Sequence, residues 1–152
     1  MEKKSMGPKP KGAAAPGTAA IGLTRLNPPS IAKPVGTYSH GVVAPAAGEW
    51  LYIAGQVGIH PDGSTPQGIA AQTEAAWSNL LAILAQAGMD VDCLVKVTTF
   101  MTHADDIAAM AGVRSRFLCD ARPASTLLIV QALARAEWLV EVEAVAFRAS
   151  SA

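Results

Sequence analysis

The segment Trp138–Phe147 constrains the fold more than any other stretch of the chain. Its side chains alternate with a period of two: Val140, Val142, Ala144 and Ala146 share one face, and Glu141, Glu143, Val145 and Phe147 share the other. On a helix both sets would scatter around the axis, so the segment reads as a strand. The first face is small and apolar throughout, which suits helices of the same subunit packed on it. The second mixes carboxylates with a large aromatic, which suits a subunit interface or a lined pocket better than open water. This strand therefore implies a sheet with helices on one side and a second copy of the chain on the other.

The remaining elements agree with such a sheet. Tyr38–Val43 and Trp50–Val57 read as strands around the Ala44–Glu49 turn, which contains Pro45 and Gly48. Ile59–Pro66 is a loop, enforced by Asp62-Gly63 and two prolines. From Ile69 the period changes: Ile69, Ala76, Leu80, Ile83, Leu84 and Ala87 fall on one helical stripe, and Gly88 provides the stop. Leu94–Thr102 is a Val/Thr-rich strand. Thr102-His103-Ala104-Asp105 has the spacing of a capping box for a second helix running to about Leu118. Gly112 inside that helix costs roughly 1 kcal/mol relative to Ala. Pro123 ends the region, and Ser125–Leu133 precedes the strand described first. The order ββαβαββ predicts an α+β fold, a mixed sheet with two helices on one face.

Composition bounds the function. The 152 residues suit one domain, and charged residues make up only 16% of them, against roughly 25% in ordinary globular chains. So thin a polar cover favours self-association. The net charge is zero, which weighs against a nucleic-acid partner, because such a protein must neutralise phosphates. Lys3, Lys4, Lys9, Lys11 and Arg25 against Glu2 nevertheless give residues 1–30 a net +4, leaving −4 for the rest. Residues 1–30 read as a flexible basic tail, and 31–149 as the folded domain. Cys93 and Cys119 form no CxxC pair, and no apolar run reaches the ~18 residues of a membrane span. A cytoplasmic protein with reduced thiols and no membrane contact is expected.

Few residues suggest chemistry. With three scattered histidines and no HExxH or Cys/His cluster, no metal site is expected. His103 suits a solvated helix start, and His40, just after Tyr38-Ser39, a strand edge. Ser39 and Ser125 lack a GxSxG context. Gly55, inside an apolar strand, marks either a bulge or a close approach of backbone to a ligand. Cys119 at a helix end is either reactive or a small buried hydrophobe. Glu141 is the strongest catalytic candidate. A carboxylate flanked by Val140 and Val142 on an inward strand is placed to activate water or shuttle a proton. The competing role is an ion pair with an arginine across an interface.

Taken together, Val35-Gly36-Thr37-Tyr38-Ser39-His40, Leu51-Tyr52-Ile53-Ala54-Gly55-Gln56, Ala71-Gln72-Thr73 with Asn79-Leu80 and Ala87-Gly88, Val95–Phe100, Arg122-Pro123-Ala124-Ser125-Thr126 and Val140–Ala146 occur in a telling order. The chain resembles the RidA (YjgF) family, also labelled endoribonuclease L-PSP-like. The resemblance covers about Val35 to Arg148, three-quarters of the chain. It implies a chorismate-mutase-like fold, a homotrimer with clefts between subunits, and hydrolysis of small enamines and imines without a cofactor. It maps the family's site tyrosine to Tyr38 and its site glutamate to Glu141. Ala54, Gly55, Gln56, His40, Arg122 and Cys119 are carried along as candidates to line the cleft. Ser125 stands where deaminase-competent members carry an arginine that binds the substrate carboxylate. Ala54 and His40 likewise replace a serine and a glutamine. Loss of a charge-assisted contact removes about 1.5–3 kcal/mol, so a substrate other than ordinary 2-aminoacrylate is expected. A non-catalytic trimer that binds a small metabolite is the alternative. An endoribonuclease or translation-inhibitor activity is a third reading, disfavoured by the −4 charge of the folded part.

Overall fold

The alternating segment is a strand, displaced by two residues from its sequence bounds. In the computed structural model, which describes residues 22–150, β6 runs Val140–Ala149. Before it come β1 (Thr24–Leu26), β2 (Gly41–Val43), β3 (Gly48–Val57), α1 (Ile69–Gln86), β4 (Leu94–Met101), α2 (Ile107–Leu118) and β5 (Ala124–Ile129). β6 lies between β3 and β4, antiparallel to both, and β5 pairs with β4 in parallel. The result is a mixed four-stranded sheet of order β3-β6-β4-β5. α1 packs on β3 and β6 and against α2, which is the α+β arrangement expected.

The apolar face of β6 meets the helices. Val140, Val142, Ala144 and Ala146 are buried with Val97 and Met101 of β4, Trp77, Leu80 and Leu84 of α1, and Met110 and Leu118 of α2. Burial of this apolar surface drives the docking of both helices. α1 stops where Gly88 adopts φ 66°: Met89 N–H donates to Leu84 O at 2.8 Å and Gly88 N–H to Ala85 O at 3.0 Å. This pairing satisfies the last carbonyls of α1, with Leu84 and Met89 both buried beside it.

Polar residues of the helix pin the loops that lead into the sheet. The buried Gln72 amide donates to Pro66 O and Glu137 O, and its oxygen accepts from Leu139 N–H at 2.8 Å. It thereby fixes the approach to β6. Asn79 donates to Ile59 O at 2.9 Å, holding the exit of β3. Between them, Gly58 passes so near α1 that a Cβ there would lie 2.6 Å from the Gln72 Cα.

Four local expectations differ from the structure. β2 pairs with β1 in a separate two-stranded sheet rather than with β3. Thr24–Leu26, assigned above to the tail, thus gains backbone partners, while residues 1–21 lie outside the described residues. Thr102 forms no capping box: its hydroxyl bonds the His103 ring at 2.9 Å, and a single 3-10 turn, Ala104–Asp106, precedes α2. β5 ends at Ile129 rather than Leu133, after which Val130 N–H donates to Met101 O and the chain turns away. Phe147 is fully buried within one chain, because Trp50 covers it edge-on at 4.9 Å between centroids and its ring rests against the bare Gly48 backbone, 2.3 Å from where a Cβ would sit.

Two glycine substitutions separate packing from conformational entropy. Gly58→Ala should lower stability by about 1–3 kcal/mol, since helix and strand must part. Gly112→Ala in α2, where a Cβ meets nothing within 4 Å, should raise it by about 0.4–1 kcal/mol. Urea midpoints measured on both variants check the pair.

Candidate active site

Register decides where the candidate side chains point. Glu141 pairs with Phe100 of β4, and Ser125 of β5 pairs with Val97. Phe100 and Val97 are an odd number of residues apart, so Glu141 and Ser125 lie on opposite faces of the sheet. One chain cannot bring both to a single small ligand.

On the face away from the helices, Glu141 is held against β3. The strand has a bulge between Ile53 and Gln56, and at Gly55 an added Cβ would lie 1.8 Å from the Glu141 Oε1 and 2.7 Å from its carboxyl carbon. The bulge expected at Gly55 is present, and the group its backbone approaches is the Glu141 carboxylate of the same chain. Gln56 folds back to donate to Ala54 O at 3.0 Å, closing the bulge. Ala54 lies beside this point in a shallow cavity of about 420 Å³, shared with Tyr52, Lys96, Thr98, Glu143 and Val145. The Lys96 ammonium donates to the Thr126 hydroxyl across β4 and β5.

A second cavity, of about 630 Å³, is built by the Pro-rich lead-in. Tyr38, His40 and Arg122 line it with Lys33 and the Asn27–Pro29 turn. His40 is chiefly a clamp. Its Nε2 lies 2.7 Å from Ala32 O, its backbone N–H donates to Asn27 Oδ1, and its ring meets Tyr38 edge-on. Arg122, carried along as a candidate to line the cleft, lines this cavity and donates to Cys119 O and Ala121 O at 2.7 Å each, capping the end of α2. Cys119 is exposed, not a buried hydrophobe, and sits at φ 49° with its thiol 3.4 Å from Arg116 O. Cys93 is the buried thiol, and desolvation pushes its pKa up.

Ser125 is not alone. Arg114 of α2, only 8% exposed, donates through Nη2 to Ser125 Oγ at 3.0 Å and to Thr37 O at 3.2 Å, and through Nη1 to Thr37 Oγ1 at 3.4 Å. Burial, reinforced by the positive charge of Arg122, lowers its pKa from the usual arginine value. Sequence reading passed over Arg114, yet a signal was present. Met110, Val113, Arg114 and Leu118 form the buried stripe of α2, and a cation on an apolar stripe asks for a partner.

Among the described residues no group of three or more His, Cys, Asp or Glu side chains could hold a metal ion, and no helix is long and apolar enough to cross a membrane. The proximity of Arg114 and Ser125 yields a direct test. Ser125→Arg sets a second guanidinium against a buried one, where like charges cost several kcal/mol. The variant should melt well below wild type, and adding Arg114→Met should recover much of the loss in a thermal melt.

The chain matches the family model described as Endoribonuclease L-PSP over residues 12–148. It is 34% identical over 118 residues to a RutC family protein of Pyrococcus abyssi, covering 76% of this chain and 90% of that one. It is 32% identical over 114 residues to the 2-iminobutanoate/2-iminopropanoate deaminase of Mus musculus, covering 74% and 82%. A solved structure of a Rid family protein of unknown function from Yersinia pestis superimposes with a TM-score of 0.75 at 30% identity, covering 84% of this chain and 99% of that one. The sheet order, the helix placement and these matches agree: the fold is chorismate-mutase-like, and the chain belongs to the RidA (YjgF) family, the family of the endoribonuclease L-PSP description.

Proposed function

We propose that the protein hydrolyses small imines, or enamines through their imine tautomers, to a carbonyl compound and ammonia in clefts completed by two copies of the chain within a homotrimer. The observation that carries the reading is the Glu141 carboxylate held against the Gly55 backbone on the sheet face that the helices leave open. Exposed Trp50 and Tyr52 on the same face supply apolar surface for a second copy. The opposite orientations of Glu141 and Ser125 are explained if one copy supplies the base and its neighbour the polar end of the cleft. Support for the reaction class comes from the mouse relative, which is described as an iminoacid deaminase.

The chemistry asks little of the protein. An imine carbon is already electrophilic, so water needs positioning and a proton relay. Glu141 accepts a proton as water oxygen bonds to the carbon, and the C=N double bond becomes a carbinolamine. Glu141 returns that proton to nitrogen, completing the neutral carbinolamine, and then relays the hydroxyl proton to nitrogen as well, so that the C–N bond breaks and ammonia leaves as the carbonyl forms. Tyr38 and the Gly55 backbone line the cleft, and His40 or Ser125 meets the polar end of the substrate. With serine at position 125, ordinary 2-aminoacrylate is a poorer fit than another imine of the class.

Imines generated in situ from a panel of amino acids by an L-amino-acid oxidase provide the assay. Ammonia release should accelerate for at least one member, and Glu141→Gln should cut it by about 10²–10⁴-fold. Gly55→Ala, which drives the carboxylate aside without entering the core, should approach the same loss while melting near wild type. No acceleration anywhere in the panel, with small acids still bound, would favour a metabolite-binding trimer instead.

A further inference from the structure

Among the described residues, Arg114 is a buried cation without an anion. A guanidinium has five N–H donors, and Thr37 O, Thr37 Oγ1 and Ser125 Oγ accept three of them. Its Nε is buried and has no acceptor among the described residues. The ion pairs among the described residues involve Arg25, Arg116, Arg135 and Arg148, not Arg114. The charged neighbour that acts on it is Arg122, also positive. Removing such a group from water is costly unless something anionic completes its surroundings.

The surroundings indicate what that anion is. Thr37-Tyr38-Ser39 runs alongside the start of β5, with Ser39 N–H donating to Pro123 O at 3.1 Å and Ser39 bridging Ala124. Arg114 plugs this seam from behind. Both hydroxyls it touches act as acceptors toward it, so each keeps its own proton for donation elsewhere. A hydroxyl that accepts from a guanidinium is polarised and donates more strongly, and a carboxylate is the acceptor that gains most. Ser39 Oγ, 1% exposed, lies in the same seam with no partner among the described residues. Tyr38, between these residues, faces the larger cavity, whose charged lining is Lys33 and Arg122 with no acid among it.

We propose that Arg114 gives the cleft its preference for a small carboxylate, acting from behind through the hydroxyls of Thr37 and Ser125. It is a positioning residue: the ligand meets the hydroxyls, and the guanidinium sets their direction and charge. The proposal rests on the reading of this region as part of a cleft for small imino acids, and it changes that reading in one respect. Serine at 125 does not abolish recognition of an acid. It sets the cation one hydroxyl farther back, on a helix instead of the edge strand.

Binding of 2-oxobutanoate and of its uncharged isostere 2-oxobutanamide to the full-length protein, by calorimetric titration, tests this without requiring turnover. The wild type should prefer the carboxylate at least tenfold. Arg114→Met should bring the two ligands within about twofold, Arg114→Lys should retain an intermediate preference, and Ser125→Ala should reduce it at least threefold. Undiminished preference in folded Arg114→Met overturns the proposal, as does a wild type that binds the two alike. Should Arg114→Met not fold, undiminished preference in both Ser125→Ala and Thr37→Val overturns it equally. Absent ammonia release alongside Arg114-dependent binding sustains the role of Arg114 and removes the hydrolase reading. Ammonia release with Arg114-independent binding does the reverse.

Discussion

The structure depends on the burial of one face of its last strand. β6 joins β3 to β4, so the four-stranded sheet is not complete until the C-terminal segment is in place. Its small apolar residues are covered by both helices, and that packing excludes water from the centre of the sheet. Because side chains alternate, the same registration that buries Val140 and Val142 turns Glu141 and Glu143 outward. A one-residue slip would bury two carboxylates and expose the core, so the position of the candidate base is guarded by the stability of the fold.

Around this strand, polar groups on helices perform most of the positioning. Gln72 holds the loop before β6, Asn79 holds the end of β3, and Arg114 holds the lead-in segment against β5. Each is a side chain on the covered side of the sheet bonded to loop backbone, where an unmet carbonyl would be costly. Two of them belong to the stretches that carry the family resemblance. Residues that look like a site signature in the sequence, such as Gln72 and Asn79, thus act as structural supports.

The arrangement also separates tasks between the two faces. The face opposite the helices carries Glu141, exposed aromatics and the Lys96–Thr126 pair. The seam at the sheet edge carries the buried cation with its hydroxyls. Their separation within one chain is the physical basis on which the proposed cleft between copies rests. In the proposed assembly, one copy presents this face to another copy's seam, and a small substrate spans the two.

Periodicity reports burial directly, so the elements and their faces were legible in the chain: the strand read over Trp138–Phe147, the helix beginning at Ile69 and its stop at Gly88. The sequence also made the family legible, through the order of short motifs, and marked Glu141 and Gly55 as residues needing explanation. Boundaries moved where long-range partners outweighed local signals, as at β1, whose strand needs Gly41–Val43, and at Thr102, whose hydroxyl turns to His103. Only the tertiary structure decided that Glu141 rests on Gly55, that Ser125 faces the other way, and that Arg114 stands behind it. Those contacts join residues 86, 28 and 11 positions apart in the chain. Such pairings follow from strand register and helix docking, and neither is written in the local pattern of any one segment.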